Sequence, residues 1–298
     1  MLVCVHVSAT RVLLPRWPCT VYKLRAAATV RIHIPRCDVI IKKDVPPNEY
    51  AAYFAAGAEQ LYTVHHRGKN PVGRVLLVGP FGADRHYSYI PWVAWARFLA
   101  AHNLEALRYD YRGAGESTGT FSDFTFADWI DDVHRLAAWL REQSPLLPLT
   151  IHGLELGALL ASDAFTQGFG DALLLWSPPA SANASLKATL LRTVAQENLF
   201  KEPGQRKPFA EYLRPFENAE SIEVDGYHWS AKLWKDSELL VLPDTYSDPR
   251  VRSVKLDSRA APLVRGTAVG YEAIHKDFTA LFTESVDWIK GRCASVPR

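Results

Sequence analysis

Apolar and polar positions alternate in two patterns along most of this chain. From Gly57 onward, short apolar runs such as GRVLLVG (Gly73–Gly79), LPLTIHG and DALLLWSPP are separated by longer stretches with apolar residues at helical spacing. Short apolar runs predict buried parallel strands, and the longer stretches predict amphipathic helices. Strands that alternate with helices of this length favour a mostly parallel sheet covered by helices on both faces.

Individual helices carry local signals. Thr125 is placed to begin one helix with Asp128 three residues on, and its expected buried stripe is Trp129, Val133, Leu136 and Leu140. A second helix is expected over SYIPWVAWARFLAAHN, and a third over the final amphipathic stretch DFTALFTESVDWIKGR. The segment Val251–Asp257 and the stretch around Leu263–Val264 are expected to be the last two strands.

One segment interrupts this alternation. Residues 180–235 are richer in polar residues and contain Pro203, Pro208 and Pro215. Insertions at this point, after a strand end, cover pockets in α/β proteins, so we expect a small cap here.

The first 44 residues differ from the rest in charge. They hold eight basic side chains against two aspartates, a net charge of +6, which leaves −4 for residues 45–298 because the whole chain carries +2. A mildly acidic body is typical of a cytoplasmic protein and gives no reason to expect a nucleic-acid partner. We therefore treat residues 45–298 as one domain. Residues 1–44 are interpreted as a disordered extension, an organellar transit peptide or sequence upstream of the natural start.

Several classes of site are excluded by composition. The four cysteines lie at positions 4, 19, 37 and 293, so neither a disulfide framework nor a cysteine nucleophile is expected in the core. The histidine and cysteine spacings match no metal site, and we expect no cofactor. No apolar run reaches the 18–20 residues of a membrane span. The oligomeric state is left open.

The candidate chemistry lies at a predicted strand-to-helix turn. The sequence Ile151-His152-Gly153-Leu154-Glu155-Leu156-Gly157 has glycines two residues to either side of Glu155. This is the spacing of the G-x-S-x-G nucleophile elbow. In that motif the central residue occupies a strained turn, and the residues two positions before and after it must lack side chains. Glu155 stands where that motif has serine, so an ordinary serine-hydrolase mechanism is not expected.

A second motif agrees with the first. Residues 108–119, RYDYRGAGESTG, resemble the D-x-R-G-x-G-x-S-x-G loop of α/β-hydrolases of the serine-aminopeptidase-like group. The resemblance extends from Gly57 to the C-terminus. Within that superfamily, residues 173–192 and 221–242 are most similar to the exosortase A system-associated hydrolases of the second type, which accompany bacterial exopolysaccharide export and protein-sorting systems.

The resemblance implies a set of site residues. The oxyanion donors would be the backbone N–H groups of Leu156 and of Phe81 or Gly82. The histidine between the last strand and the final helix would be His275. Asp257 is the candidate acid, with Asp244 and Asp248 as rivals if the preceding strand is ELLVLPD instead. His152 is expected to pack in the core.

Three roles remain open for Glu155. Its carboxylate could attack substrate to form an ester intermediate, act as the base for a water, or have no catalytic role. A glutamate is one methylene longer than the aspartate that some α/β-hydrolases use, which misplaces the attacking oxygen. The sequence therefore predicts either hydrolysis of an ester or amide bond of a small-molecule or acyl substrate with Glu155 in an altered catalytic set, or a binding or scaffold protein on the same fold.

Overall fold

The computed structural model describes residues 3–7, 10–14, 31–34, 37–40, 48–244, 247–256 and 271–295. Side chains are described from residue 48 onward, apart from residues 83, 87 and 271–277. Asp257 and the stretch around Leu263–Val264 therefore lie outside the described residues.

The strands form three sheets. In chain order they are β1 (Val3–Val7), β2 (Thr10–Leu14), β3 (Arg31–Ile34), β4 (Cys37–Ile40), β5 (Glu49–Ala56), β6 (Glu59–His66), β7 (Gly73–Val78), β8 (Leu104–Tyr109), β9 (Leu149–Leu154), β10 (Ala172–Trp176), β11 (Ser221–Val224), β12 (Tyr227–Ser230) and β13 (Val251–Val254). The sheet orders are β2-β1-β3-β4, β13-β10-β9-β7-β8-β6-β5 and β11-β12.

The helices alternate with the strands of the seven-stranded sheet. They are α1 (Gly82–Ala101), α2 (Phe126–Gln143), α3 (Gly157–Thr166), α4 (Ala182–Leu199), α5 (Phe209–Glu217), α6 (Ala231–Asp236) and α7 (Tyr271–Ser295). Two single 3₁₀ turns lie at Phe121–Asp123 and Pro203–Gln205. No helix in the described part of the chain is long and apolar enough to cross a membrane.

The seven-stranded sheet is mostly parallel, as predicted. Strands β8, β7, β9, β10 and β13 pair in parallel, and β6 and β5 add an antiparallel edge. Strands β7, β9 and β10 are buried along their whole length, which explains their unbroken apolar sequences. The carboxyl ends of all five parallel strands meet at one edge of the sheet, and in such folds ligands bind at that edge.

The two faces of the sheet are covered by different helices. One hydrophobic cluster joins the sheet to α2, α3 and α4 and contains the fully buried Trp129 and Leu136. The other joins the opposite face to α1 and α7 and contains Trp95 and Phe282. Helices on both faces confirm the predicted α/β class.

Helix α2 begins as its sequence predicts. The backbone N–H of Thr125 donates to the Asp128 carboxylate over 2.8 Å, and the predicted stripe of Trp129, Val133 and Leu140 is buried. Helix α1, in contrast, begins at Gly82, earlier than the expected start near Ser88, and it contains Pro91 inside the helix.

The insertion after β10 holds α4, α5, the β11-β12 hairpin and α6 before the chain returns to β13. Its predicted role as a cap stays a prediction. The short strands β1–β4 pair only with one another, in an antiparallel sheet. Whether residues 1–44 contribute to stability also stays a prediction.

Candidate functional site

The turn between β9 and α3 has an unusual backbone. Glu155 has a φ of 51°, in the left-handed region that residues with a side chain rarely adopt. Two hydrogen bonds fix the turn, since the Glu155 N–H donates to the carbonyl of Trp176 and the Glu155 carbonyl accepts from the N–H of Ala158, each over 2.9 Å. Strained backbone of this kind persists where the surrounding structure enforces it, and it concentrates at functional sites.

Close packing explains the two glycines of this turn. A Cβ atom on Gly157 would lie less than 3.0 Å from the backbone of Val78 and Gly79 at the end of β7. A Cβ atom on Gly153 would lie 2.7 Å from the backbone nitrogen of Ala158. Neither position has room for a side chain, so the turn is held tightly against the neighbouring strand end.

A cavity lies beside this turn. Leu156, Phe81 and Gly82 line it together, so the structure brings the three candidate oxyanion residues to one place. The other lining residues are Asp84 of α1 and a group from the insertion: Ser185, Leu186, Thr189, Val224, Asp225 and Trp229. The cavity volume is about 10 Å³, which is room for a single water molecule.

Aromatic side chains close the cavity from the core side. The ring centroid of Phe81 lies 5.0 Å from that of Trp129, 5.3 Å from that of Phe121 and 6.4 Å from that of Trp229. Phe81 is buried, so its ring fills the space between the sheet and the insertion. A ligand larger than a water molecule does not fit in the cavity while these rings are in contact.

One ion pair at the cavity links the core to the insertion, and a second polar contact lies within the insertion. Arg192 of α4 lies 3.6 Å from the Asp84 carboxylate, and the Thr193 hydroxyl lies 3.1 Å from an oxygen of Asp225. No sequence signal marked Asp84 or Asp225, because their proximity arises only when the insertion folds back over the sheet edge.

For the remaining candidate residues, the structure gives no position of the side chain beside Glu155. Asp257 is outside the described residues, and His275 lies on α7 at a position whose side chain is not described. Among the rivals, Asp248 is bound by Arg250 over 2.7 Å and precedes β13, at the opposite edge of the sheet from the elbow turn. The segment ELLVLPD contributes only an isolated bridge at Val241, so the strand that would favour Asp244 is not formed.

Comparisons with known proteins agree with this architecture. The sequence model of the family described as "Serine aminopeptidase, S33" matches residues 85–205. Est1E from Butyrivibrio proteoclasticus, solved with ferulic acid bound, aligns with a TM-score of 0.54 at 16% identity over 82% of this chain and 100% of its own. The α/β hydrolase GrgF from Penicillium sp. sh18 gives 0.55 at 14% identity over 84% and 100%. An esterase of Pyrococcus furiosus gives 0.52 at 13% identity over 82% and 91%.

This chain has the α/β-hydrolase fold. No curated protein matches its sequence significantly. At such low identities the structural likeness establishes the fold and not the activity.

The loop after β8 is built as a support in this α/β-hydrolase fold. Arg112 holds the buried Asp132 of α2 with hydrogen bonds of 2.8 and 3.0 Å. The Ser117 hydroxyl donates to the carbonyl of Asp110 and accepts from the N–H of Tyr62. Gly115 has a φ of 60°, and a Cβ there would collide with the Asp110 carboxylate. The motif of residues 108–119 therefore stabilises this edge of the sheet through its hydrogen bonds.

Histidine 152 packs in the core, as the sequence predicts. It is fully buried among Trp92, Trp95 and Trp176, and its Nδ1 lies 2.9 Å from the carbonyl oxygen of Leu174. Burial lowers the pKa of His152 to about 3, so the ring is neutral at physiological pH. Among the described residues, no cluster of histidine, cysteine and carboxylate side chains could hold a metal ion.

Proposed function

We propose that this protein hydrolyses an ester or related bond of a small molecule, with the carboxylate of Glu155 at the position that carries the nucleophile in α/β-hydrolases. The observation that supports this most is the backbone of Glu155, which adopts a φ of 51° between β9 and α3. Left-handed backbone at a residue with a long side chain costs on the order of 1–3 kcal/mol, and such a cost is typical of functional turns.

The proposed chemistry for an ester uses Glu155 as a base. The carboxylate takes a proton from a water, and the resulting hydroxide adds to the carbonyl carbon. The N–H of Leu156 and that of Phe81 or Gly82 donate to the oxyanion, since these residues line one cavity. When the intermediate collapses, the leaving oxygen takes the proton and the carboxylate is restored. In this proposal, His275 and Asp257 assist the proton transfer.

An epoxide or a haloalkane would react by a different route. The Glu155 carboxylate attacks carbon directly and forms a glutamyl ester. The C–O bond of an epoxide opens to an alkoxide that takes a proton from water, whereas the carbon–halogen bond of a haloalkane breaks and releases the halide. The hydroxide left in the epoxide reaction then hydrolyses the glutamyl ester to a diol. In the haloalkane reaction water hydrolyses the ester to an alcohol and releases a proton, and both steps restore the carboxylate. The extra methylene of glutamate, relative to aspartate, makes this route slower in the elbow turn.

A second candidate function is ligand binding without turnover. The observation that favours it is the cavity volume of about 10 Å³, which leaves no room for a substrate while Phe81 packs against Trp229. In that case the turn at Glu155 is kept as part of the fold without a catalytic role, and the insertion covers the cavity without opening.

A substrate panel tests both candidates. Purified protein is assayed against activated acyl esters, epoxides and haloalkanes, in parallel with Glu155→Gln and with the exposed Glu142→Gln of α2 as a matched control. We expect turnover in the wild type and in Glu142→Gln, and its loss in Glu155→Gln. Turnover that survives in Glu155→Gln would contradict the carboxylate mechanism, and none in any variant would favour the binding protein.

The association with exopolysaccharide export is a further part of this proposal. The residues that support it, 173–192 and 221–242, include Ser185, Thr189, Val224 and Trp229, which line the cavity. The genes that neighbour the coding gene provide the test, because the proposal requires exopolysaccharide export or protein-sorting genes beside it.

A further inference from the structure

A second cavity lies beside the loop that carries Phe81. Two guanidinium groups converge there on the ring of Tyr89, because the central carbons of Arg85 and Arg108 each lie 5.7 Å from the ring centroid. Arg85 and Tyr89 belong to α1, and Arg108 belongs to β8. The cavity measures about 20 Å³, and Gly79, Pro80, Ser88 and Asp110 are among its other lining residues.

The charge of Arg85 is balanced within this cluster. Its guanidinium donates to Asp110 Oδ1 over 2.5 Å, and the other oxygen of Asp110 accepts the backbone N–H of Glu116 over 3.0 Å. Asp110 is only 7% exposed at its side chain, so this pair is well shielded. Both oxygens of Asp110 are therefore already engaged.

The charge of Arg108 is not balanced in the same way. Its Nε donates to Nε2 of His66 over 3.2 Å. Burial lowers the pKa of His66 to about 4, so this partner is a neutral ring at neutral pH. Within the part of the chain that the structure describes, no carboxylate oxygen lies within 4.0 Å of the half-buried Arg108 guanidinium. Its two terminal nitrogens form no hydrogen bond there either.

We propose that Arg108, with Arg85 beside it, binds the oxyanion group of a small molecule, a carboxylate or a phosphate. A half-buried guanidinium is stabilised by an anion that pairs with it, and its fork of donors suits an oxyanion group. The cavity admits about one oxygen atom, since its volume is that of a water. The rest of the ligand lies outside it against Tyr89, which is 44% exposed.

This site is separate from the elbow cavity. Gly79 and Pro80 line the anion site, whereas the next two residues, Phe81 and Gly82, line the cavity beside Leu156. The two cavities therefore lie on different parts of one loop. The anion site does not depend on the proposed hydrolysis.

Titration of the full chain with inorganic phosphate, and separately with acetate, tests the proposal. Amide and indole resonances are followed by NMR at constant ionic strength. We expect saturable shifts at the amides of Arg85, Tyr89 and Arg108 and at the indole of Trp92, which also lines the cavity. A response to phosphate alone identifies a phosphate ligand, and a response to acetate alone identifies a carboxylate.

Two variants of Arg108 and one matched control sharpen the test. Arg108→Gln keeps a donor for His66 and should weaken binding at least tenfold. Arg67 provides the control, because its guanidinium lies 4.7 Å from the ring of Tyr50 at an exposed position that lines no such cavity. Arg67→Gln should leave the affinity unchanged.

Other outcomes overturn the proposal. These are the absence of saturable shifts with either anion, and an equal loss of affinity in Arg67→Gln, which would indicate binding to general surface charge. If Arg108→Gln does not fold, Arg108→Lys preserves the charge but not the fork and should weaken binding severalfold. Unchanged affinity in Arg108→Lys would contradict the paired hydrogen bonds.

Discussion

Two neighbouring strands of the sheet end in turns with the same rare backbone. Glu155 follows β9 with a φ of 51°, and Ser177 follows β10 with a φ of 48°. Both residues are half-buried, and the two turns are joined by the hydrogen bond from the Glu155 N–H to the Trp176 carbonyl. The two turns differ in the side chain that each one carries, a carboxylate at Glu155 and a hydroxyl at Ser177.

The Ser177 side chain has a structural task. Its hydroxyl accepts the N–H of Leu256 over 2.9 Å, and its own N–H donates to the carbonyl of Val254 over 2.8 Å. These bonds tie the end of β10 to the chain that leaves β13. The turn at Glu155 is held by the corresponding backbone bond to Trp176, by the bond from Ala158 and by the close packing of the two glycines. A serine that follows a parallel strand is thus not identified as a nucleophile by its location alone. The glycines that flank a strand-to-helix turn are the better indication of the nucleophile position.

A side chain added at Gly157, where α3 approaches the end of β7 closely, should have the largest effect on stability. In Gly157→Ala the new Cβ would press into the backbone of Val78 and Gly79, where neither partner is a flexible side chain. We expect the free energy of unfolding, measured by urea denaturation, to fall by about 3 kcal/mol or more. Gly204→Ala is the control, because nothing lies within 4 Å of its Cβ position, and it should change stability little. A loss in Gly157→Ala as small as that of the control would show that the elbow can relax.

Restoring serine at the elbow should have the next largest effect. Glu155→Ser recreates G-L-S-L-G beside the Leu156 N–H, so we expect esterase activity on an activated acetyl ester at least tenfold above the wild type. A fluorophosphonate probe should label this variant and not the wild type, whose Ser117 and Ser177 hydroxyls are engaged by backbone N–H groups.

Adding His275→Ala to Glu155→Ser is the essential control. Oxyanion donors and binding alone give roughly a thousandfold acceleration over water, so activity without a histidine is no proof of a triad. We expect the gain to disappear in the double variant. A folded Glu155→Ser that stays inert would favour the binding function. Labelling of Ser177 in the wild type would show that Ser177, and not the residue at position 155, is the reactive group.

The sequence predicted the sheet and the elbow because both are local. Buried parallel strands appear as apolar runs, and the glycine spacing around Glu155 marks a strand-to-helix turn within a few residues of sequence. The start of α1 was missed, because Asp84, Arg85 and His86 interrupt the apolar pattern before Ser88.

The surroundings of the elbow could not be predicted in the same way. Asp225 and Trp229 reach the cavity only because the β11-β12 hairpin folds back over residues more than sixty positions earlier in the chain. The Arg85–Tyr89–Arg108 cluster also depends on packing, since it joins a helix to a strand that has no periodic signal for an arginine there. The roles of Asp257 as the acid and of His275 as the catalytic histidine stay predictions.

A smaller effect is expected at the second turn. Ser177→Ala leaves the Leu256 N–H without its side-chain partner, and this loss costs stability. We expect the free energy of unfolding to fall by about 1–2 kcal/mol, with no change in any activity of the wild type. A loss of turnover that exceeds the loss of folded protein would show that Ser177 takes part in the chemistry, and the two turns would then have to be considered as one site.

Removal of the N-terminal residues should have the smallest effect. Residues 1–44 carry a net charge of +6, and β1–β4 pair with one another and not with the seven-stranded sheet, which begins at Glu49. A chain that starts at Asp44 keeps the described residues that bond the turns at Glu155 and Ser177. We expect its melting temperature, measured by calorimetry, to lie within about 3 °C of the full chain, which corresponds to roughly 1 kcal/mol for a domain of this size. A decrease of ten degrees or more would show that this sheet packs on the body. The stability differences between the two turns would then have to be measured only in the full chain, because the shorter one would lack part of the support that holds both.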